Sequence, residues 1–109
     1  MSPSSDHAIA AYTPDLMDRS KISAALGECR FVARPEALVG LAGIDVVLVD
    51  LSKRGVMEAL PDIVAGGVRV VGYGAHVDHK LLAAAEAAGV GEVLPRSKFF
   101  TRLAAGELL

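Results

Sequence analysis

The sequence predicts an α/β protein built on a doubly wound parallel sheet. Residues 44–52 read Ile-Asp-Val-Val-Leu-Val-Asp-Leu-Ser, a nearly unbroken apolar run typical of a strand buried on both faces. Similar short runs alternate with Ala- and Leu-rich segments whose apolar residues have helical spacing, which indicates βαβ units. The chain has 109 residues, enough for one compact domain. We therefore expect one domain over residues 1–109, with residues 1–6 disordered.

The first half of the chain carries two predicted strands and two predicted helices. Thr13 is the predicted cap of the first helix, because Pro14 suits a first turn and Asp15 suits the positive end of the helix. Gly27 is placed to end that helix. The predicted strands are residues 7–12 and 29–33, and the predicted helices are residues 14–26 and 35–41.

The second half begins with the central strand, which delivers Asp50 to its carboxyl end. Pro61 lies inside the helix that follows, so we expect a kink or a restart at residues 60–61. Asp78 is the predicted cap of a helix that ends at Gly89. A final helix opens at Ser97 or Lys98. The remaining predicted strands are residues 45–49, 68–73 and 92–95, and the complete prediction has five strands and five helices.

Five consecutive βα units of this size are typical of the flavodoxin-like doubly wound (βα)5 fold. Right-handed crossovers favour a five-stranded parallel sheet in the order 2-1-3-4-5. In that order, strands 1 and 3 are neighbours and their carboxyl ends border one crevice. We therefore expect Thr13, Asp50, Gly74 and Arg96 to lie close together there.

Composition excludes several classes of partner. Eleven basic residues are outnumbered by 13 acidic ones, which argues against a nucleic-acid-binding surface. No apolar stretch approaches the roughly 18 residues of a membrane span, and the first residues do not resemble a signal peptide. Cys29 is the one cysteine, so we expect neither an internal disulfide nor a zinc site. We expect a cytoplasmic protein that is not an enzyme and binds no cofactor.

Three segments share their pattern with a known family. Asp50 ends a Val-Val-Leu-Val strand, and Gly74-Ala75-His76 follows the fourth predicted strand. Residues 83–99 contain the stretch Leu-Pro-Arg-Ser-Lys-Phe after an Ala-rich helix. In these features the chain resembles the response-regulator receiver domain (CheY-like) over nearly its whole length. The resemblance implies a phospho-accepting role for Asp50 and phosphate or anion contacts from Arg96, Gly74 and Ala75.

The chain also departs from the receiver pattern at positions that matter for chemistry. Receivers end their first strand in an acidic pair that holds Mg²⁺, whereas this strand ends in Tyr12-Thr13-Pro14. The nearest acids, Asp15 and Asp18, are the only metal candidates. Gly74 stands where the family has a hydroxyl residue, and arginine replaces its lysine at position 96. We therefore predict a stand-alone degenerate receiver, a pseudo-receiver, that serves as a signalling and protein-interaction module.

Alternative functions remain open from the sequence. One is a working receiver phosphorylated on Asp50, which would need Mg²⁺. Another is a flavodoxin-like protein that binds an anion or a small molecule in the same crevice. Residues 47–52 also resemble the anti-sigma-factor antagonists, although the Asp-Ser-Ser-Gly motif of that family is missing.

Several site residues also have purely structural interpretations. Asp50 is equally suited to capping the turn after its strand. Arg96 is a candidate for a structural ion pair with Asp50. His76 and His79 lack an evident third metal ligand, which favours solvated loop histidines.

The last third of the chain is rich in large apolar residues, which motivates a partner-binding face on the fourth helix, the fifth strand and the fifth helix. A protein partner, including a second copy of the chain, is expected there. The interface candidates are Leu82, Val93, Phe99 and Phe100. The apolar residues behind this expectation are Leu81, Leu82, Phe99, Phe100, Leu108 and Leu109.

Overall fold

The computed structural model describes residues 8–109 and forms one parallel sheet. Its strands run in the order β2-β1-β3-β4-β5, which confirms the predicted flavodoxin-like doubly wound topology. The predicted disorder of residues 1–6 and the start of the first strand at His7 lie outside the described residues. The strands are β1 (Ile9–Tyr12), β2 (Arg30–Phe31), β3 (Val46–Asp50), β4 (Arg69–Gly74) and β5 (Glu92–Pro95).

Four α-helices and one 3-10 helix connect the strands within the described residues, so the prediction of five α-helices is wrong at one element. Residues 35–41 form only a short 3-10 helix, Pro35–Leu38. The helix stops after four residues because Val39 is extended and Gly40 has a positive φ of 67°. The hydrogen bonds of a 3-10 helix have poorer geometry than those of an α-helix, which also favours short segments. The α-helices are α1 (Leu16–Leu26), α2 (Val56–Ala65), α3 (His79–Ala87) and α4 (Arg96–Ala104).

The predicted cap of the first helix is wrong. The helix begins at Leu16, and its cap is Asp15, whose Oδ1 accepts a hydrogen bond from the Asp18 backbone N–H at 3.0 Å. Asp caps helices as well as Thr does. Thr13 is instead fully buried and its hydroxyl hydrogen-bonds to the hydroxyl of Tyr73, so its side chain is engaged in the interior.

Other helix ends follow local signals more closely. The predicted cap of α3 is confirmed, because Asp78 Oδ1 accepts a hydrogen bond from the Leu81 backbone N–H at 3.2 Å. α2 continues through Pro61 instead of restarting there. α4 begins at Arg96, slightly earlier than predicted. No helix among residues 8–109 is long and apolar enough to cross a membrane.

The sheet separates two apolar layers, as the alternation of side chains along its strands requires. One layer packs against α2, α3 and the 3-10 helix, and the other packs against α1 and α4. Gly72 makes room for Leu51 in the first of these layers, because a Cβ there would lie 2.9 Å from Leu51 Cδ2. The layer under α1 and α4 includes Ile22, Leu48, Val71, Tyr73, Phe99, Leu103 and Leu108.

Candidate functional site

The site lies where the carboxyl ends of β1, β3, β4 and β5 meet. Asp50, the last residue of β3, pairs in register with Tyr73 of β4, and Gly74 pairs with Pro95 of β5. Because register partners in a parallel sheet point to the same face, Asp50 and Tyr73 both face the side covered by α1 and α4. The fold therefore brings Asp50, Tyr73 and the start of α4 to one crevice.

Asp50 is buried and hydrogen-bonded to its own loop. The residue is only 3% exposed, and its Oδ1 accepts hydrogen bonds from the Ser52 backbone N–H at 3.0 Å and from the Ser52 hydroxyl at 2.7 Å. This is the local turn that Asp side chains commonly form with the residue two positions on. The turn-capping interpretation of Asp50 is therefore confirmed, and it leaves the carboxylate at the edge of the crevice.

A bidentate ion pair in the crevice joins α1 to α4. Arg96 Nη1 donates to Asp18 Oδ2 at 2.8 Å, and Nη2 donates to Asp18 Oδ1, so the pair is bidentate. Asp18 is 1% exposed, whereas the Arg96 side chain is 45% exposed. The predicted ion pair between Arg96 and Asp50 is wrong. The first turn of α1 turns Asp18 inward toward the guanidinium, while Asp50 is held by Ser52.

Tyr73 completes this cluster from the sheet. Its hydroxyl hydrogen-bonds to the Thr13 hydroxyl and donates to Asp18 Oδ2 at 3.3 Å. Each hydroxyl has one hydrogen, so both contacts are made when Thr13 donates to Tyr73 and Tyr73 donates to Asp18. Burial raises the pKa of Tyr73, and the negative charges of Asp50 and Asp18 raise it further. The phenol therefore stays protonated and remains a donor.

Arg96 is held both by an ion pair and by cation–π contacts. Its pKa is raised, chiefly by the hydrogen bond to Asp18, with the Asp50 charge also contributing. Its Cζ lies 5.0 Å from the ring centroid of Phe100 and 5.8 Å from that of Tyr73, within the range of cation–π contacts. The guanidinium is thus positioned by an acid on one side and by two aromatic rings.

The other predicted anion contacts take part in packing and turn formation. A Cβ at Gly74 would lie 3.3 Å from Leu81 Cδ2 and from Leu82 Cδ2, so the hydroxyl side chain that receivers carry would press on the start of α3. The Ala75 carbonyl accepts the Asp78 backbone N–H at 2.9 Å and forms the turn into that helix. Arg96 is therefore the anion-contact candidate that has an anionic partner in this structure.

The metal candidates do not fit a Mg²⁺ site, which requires free carboxylate and water oxygens in octahedral array. Both Asp18 oxygens face the Arg96 guanidinium. Asp15 is exposed and caps α1, and the hydrogen bond from the Asp18 backbone N–H is the main cause that lowers its pKa. Over residues 8–109, no group of three or more His, Cys, Asp or Glu side chains is placed to hold a metal ion.

One interface candidate lies in the core. Phe99 is completely buried and stacks on Tyr73 with ring centroids 4.3 Å apart, so it is not available as a surface contact. Leu108 is buried as well, because it packs into the same layer. Leu82, Val93 and Phe100 are half-buried. Two of the large apolar residues behind the predicted interface, Phe99 and Leu108, are therefore buried in the core between helix and sheet.

Two surface cavities lie away from the Asp50 crevice. One of about 330 Å³ runs between α1 and α4, and another of about 300 Å³ lies beside the amino end of β1. Neither is lined by Asp18, Asp50 or Arg96. The first is lined by Lys21, Ala24, Ala25, Phe100, Leu103 and Ala104, and the second by Ala8, Ile9, Glu28, Cys29, Arg30 and Ile44.

Solved structures show what this architecture resembles. The phosphorylated cyanobacterial phytochrome response regulator RcpA is similar with a TM-score of 0.78 and 16% identity, covering 94% of this chain and 92% of that one. The chain has the CheY-like receiver fold. The Mn²⁺-bound response regulator Rcp1 is similar with a TM-score of 0.72, 16% identity and the same coverage, 94% and 92%. At this identity, the likeness establishes the fold alone.

A third structure resembles the receiver-fold chain at somewhat higher identity. It is the N-terminal domain of an uncharacterized protein from Wolinella succinogenes, with a TM-score of 0.65 and 25% identity, covering 92% of this chain and 89% of that chain. No protein-family model matches the chain. No curated protein matches it either.

Sequence reasoning missed Tyr73 as a site residue. It treated Tyr73 as an ordinary strand residue, although Tyr73 supplies one of the donors to Asp18. A signal was present in the alternation of side chains, because Val71 and Tyr73 share a face and β4 is the neighbour of β3. A tyrosine at the carboxyl end of a buried strand has a hydroxyl that needs a partner. Because Tyr73 is the register partner of Asp50, that hydroxyl was to be expected among the polar groups of the crevice.

Proposed function

We propose that the chain is a receiver-like signalling module that acts by binding a protein partner and is not a conventional Mg²⁺-dependent phospho-acceptor. The observation that carries this proposal is the bidentate pairing of Arg96 with Asp18. In the receiver pattern, acids after the first strand serve the metal and the basic residue after the fifth strand serves the phosphoryl group. Here the strand-end acids are missing, and the basic residue Arg96 is instead paired with Asp18 of α1.

The chemistry of phosphoryl transfer supports the same conclusion. Transfer to a carboxylate depends mainly on positioning and on neutralising the transferred group with metal ions and cations. With Arg96 paired to Asp18 and Gly74 packed against α3, the residues around Asp50 supply little of either. RcpA was solved phosphorylated and Rcp1 with Mn²⁺ bound, and we expect this chain to differ from both proteins in these properties.

The alternative is a working receiver phosphorylated on Asp50. Two observations favour it: Asp50 ends a central strand at the carboxyl edge, and its charge is close enough to raise the pKa of Arg96. Both Ser52 hydrogen bonds go to Asp50 Oδ1, so Oδ2 is the atom that a phosphoryl group would join. One experiment separates the two functions.

Treatment with a small phosphodonor and Mg²⁺ is expected to give no mass adduct that depends on Asp50. The protein is incubated with acetyl phosphate and Mg²⁺ and, separately, with beryllofluoride and Mg²⁺, and is followed by intact mass and amide NMR. The matched control is Asp50→Asn, and a conventional receiver treated in parallel shows that the reagents work. An adduct, or shifts in residues 50–54, that Asp50→Asn abolishes would establish the alternative function.

The partner surface is proposed to lie on α3, β5 and α4, where Leu82, Val93 and Phe100 remain half-buried. A second copy of the chain is the first occupant to test. Sedimentation equilibrium at micromolar concentration is expected to show a dimer that Leu82→Lys weakens at least tenfold. Glu86→Lys on an exposed position of the same helix is the matched control. A monomer at every concentration rules out the second copy as the partner.

A further inference from the structure

The cavity between α1 and α4 has the size and the walls of a small-molecule site. Its volume is about 330 Å³, and pockets that bind small molecules are mostly apolar, with volumes of roughly 300–1,000 Å³. Ala24, Ala25 and Ala104 line the cavity, and their short side chains leave the space between the two helices unfilled. The buried side chain of Leu103 borders it as well. Most of the wall is therefore hydrocarbon that a ligand could cover.

Lys21 borders the same cavity, and its charge has no acidic partner among residues 8–109. The ion pairs in this part of the chain join other residues. The Lys21 Nζ lies 5.1 Å from the centroid of the Phe100 ring, a cation–π distance that holds the ammonium beside the cavity. Arg96 lies over the same ring, but its charge is balanced by Asp18. The cavity therefore carries an uncompensated positive charge.

The charge and the apolar wall lie at different ends of the cavity. Lys21 comes about one turn before Ala24 and Ala25 in α1, and Phe100 comes about one turn before Ala104 in α4. The strands that precede these helices, β1 and β5, are parallel, and both helices pack on the same face of the sheet. The two helices therefore run in the same direction. This places Lys21 and Phe100 at one end of the cavity and the alanines at the other.

We propose that this cavity binds a small amphiphilic carboxylate, whose oxygens pair with the Lys21 ammonium and whose aliphatic body covers the alanine wall. The charge without a partner favours an anion over a neutral or cationic molecule. One lysine balances the single charge of a carboxylate but not the larger charge of a phosphate monoester. The apolar wall favours a hydrocarbon body, because covering the wall removes apolar surface from water. The site uses neither Asp50 nor Arg96, so this inference goes beyond the proposed function.

Titration of the natural chain with sodium hexanoate tests the site, with amide NMR as the readout. Sodium acetate is the control for the headgroup alone, and 1-hexanol is the control for the hydrocarbon body alone. Saturable shifts are expected in the amides of Ala24, Ala25, Leu103 and Ala104. Hexanoate is expected to bind at least tenfold more tightly than acetate, because several more methylene groups leave water. It is expected to bind about fivefold more tightly than 1-hexanol, the effect of a partly exposed ion pair.

Two substitutions separate the role of the charge from that of the wall. Lys21→Met keeps an unbranched side chain and removes the charge, so it is expected to weaken hexanoate binding about fivefold and to leave 1-hexanol binding unchanged. Ala24→Phe places a ring in the cavity and is expected to weaken the binding of both molecules at least tenfold. Lys98→Met, at an exposed position of α4 outside the cavity wall, is the matched control for Lys21→Met and is expected to bind hexanoate as the natural chain does.

Hexanoate that fails to saturate these shifts, or that binds no more tightly than acetate or 1-hexanol, overturns the proposal. Equal affinities of Lys21→Met and the natural chain for hexanoate overturn it as well. The comparison of the three molecules needs only the natural chain, so it stays decisive if a variant does not fold. Because the titrations contain neither Mg²⁺ nor a phosphodonor and follow residues away from Asp50, their failure leaves the proposed function untouched.

Discussion

Replacing Phe99 with Ala is expected to lower the free energy of unfolding by about 3–5 kcal/mol, the usual cost of truncating a large aromatic side chain in a core. Phe99 is fully buried and stacks on Tyr73 at 4.3 Å, with Phe100 edge-on to it at 4.9 Å. Truncation removes both ring contacts and leaves a cavity beside the Tyr73 ring. Urea denaturation of the two proteins measures the difference.

Phe100→Ala is the matched control for this prediction. The neighbouring ring is half-buried, so its truncation is expected to cost about 1–2 kcal/mol, in proportion to the smaller area removed from water. A Phe99→Ala variant as stable as Phe100→Ala, but with weaker self-association, would contradict the placement of Phe99 in the core and would return it to the interface.

Replacing Arg96 with Met is expected to lower the free energy of unfolding by about 2 kcal/mol, because the Asp18 carboxylate is left buried without its cationic partner. The expected cost lies below the range for fully buried pairs, since the Arg96 side chain is 45% exposed and water reaches its position. Among residues 8–109, the Tyr73 hydroxyl would remain as the one side-chain donor to Asp18. Urea denaturation at constant pH and ionic strength measures this cost.

A double-mutant cycle separates the pairing from the loss of side-chain packing. Adding Asp18→Leu to Arg96→Met removes the stranded charge, so the double variant is expected to recover at least half of the lost stability. If the loss of stability in the double variant equals the sum of the losses in Arg96→Met and Asp18→Leu, the two side chains do not interact energetically.

Local sequence signals predicted much of the fold because they act over a few neighbouring residues. The apolar run before Asp50 forms a strand buried along its whole length, and Asp78 caps its helix as predicted. The same kind of reasoning was wrong at Thr13, which is a residue type that often caps helices but whose buried hydroxyl hydrogen-bonds to Tyr73. When two residues both suit a cap, propensity does not choose between them, and the partner across the sheet decides.

The site was less predictable than the fold. The sequence placed Asp50 and Arg96 at the same edge, and the registers of β3, β4 and β5 bring that edge together. It did not show that Arg96 would select Asp18, an acid 78 positions earlier in the chain. The direction of a side chain in the first turn of a helix depends on how that helix packs. Sequence spacing leaves this direction undetermined.

The sequence by itself determined the alternation of strands and helices and the residue at the carboxyl end of the central strand, because hydrophobic periodicity and turn chemistry are local. Only the tertiary structure decided which charges pair, that Tyr73 joins them, and that Phe99 belongs to the core. These outcomes depend on contacts between distant segments, and such contacts form once the sheet order and helix packing bring those segments together. In this protein, the packing of α1 and α4 on the sheet therefore decided that Arg96 pairs with Asp18 in the crevice beside Asp50.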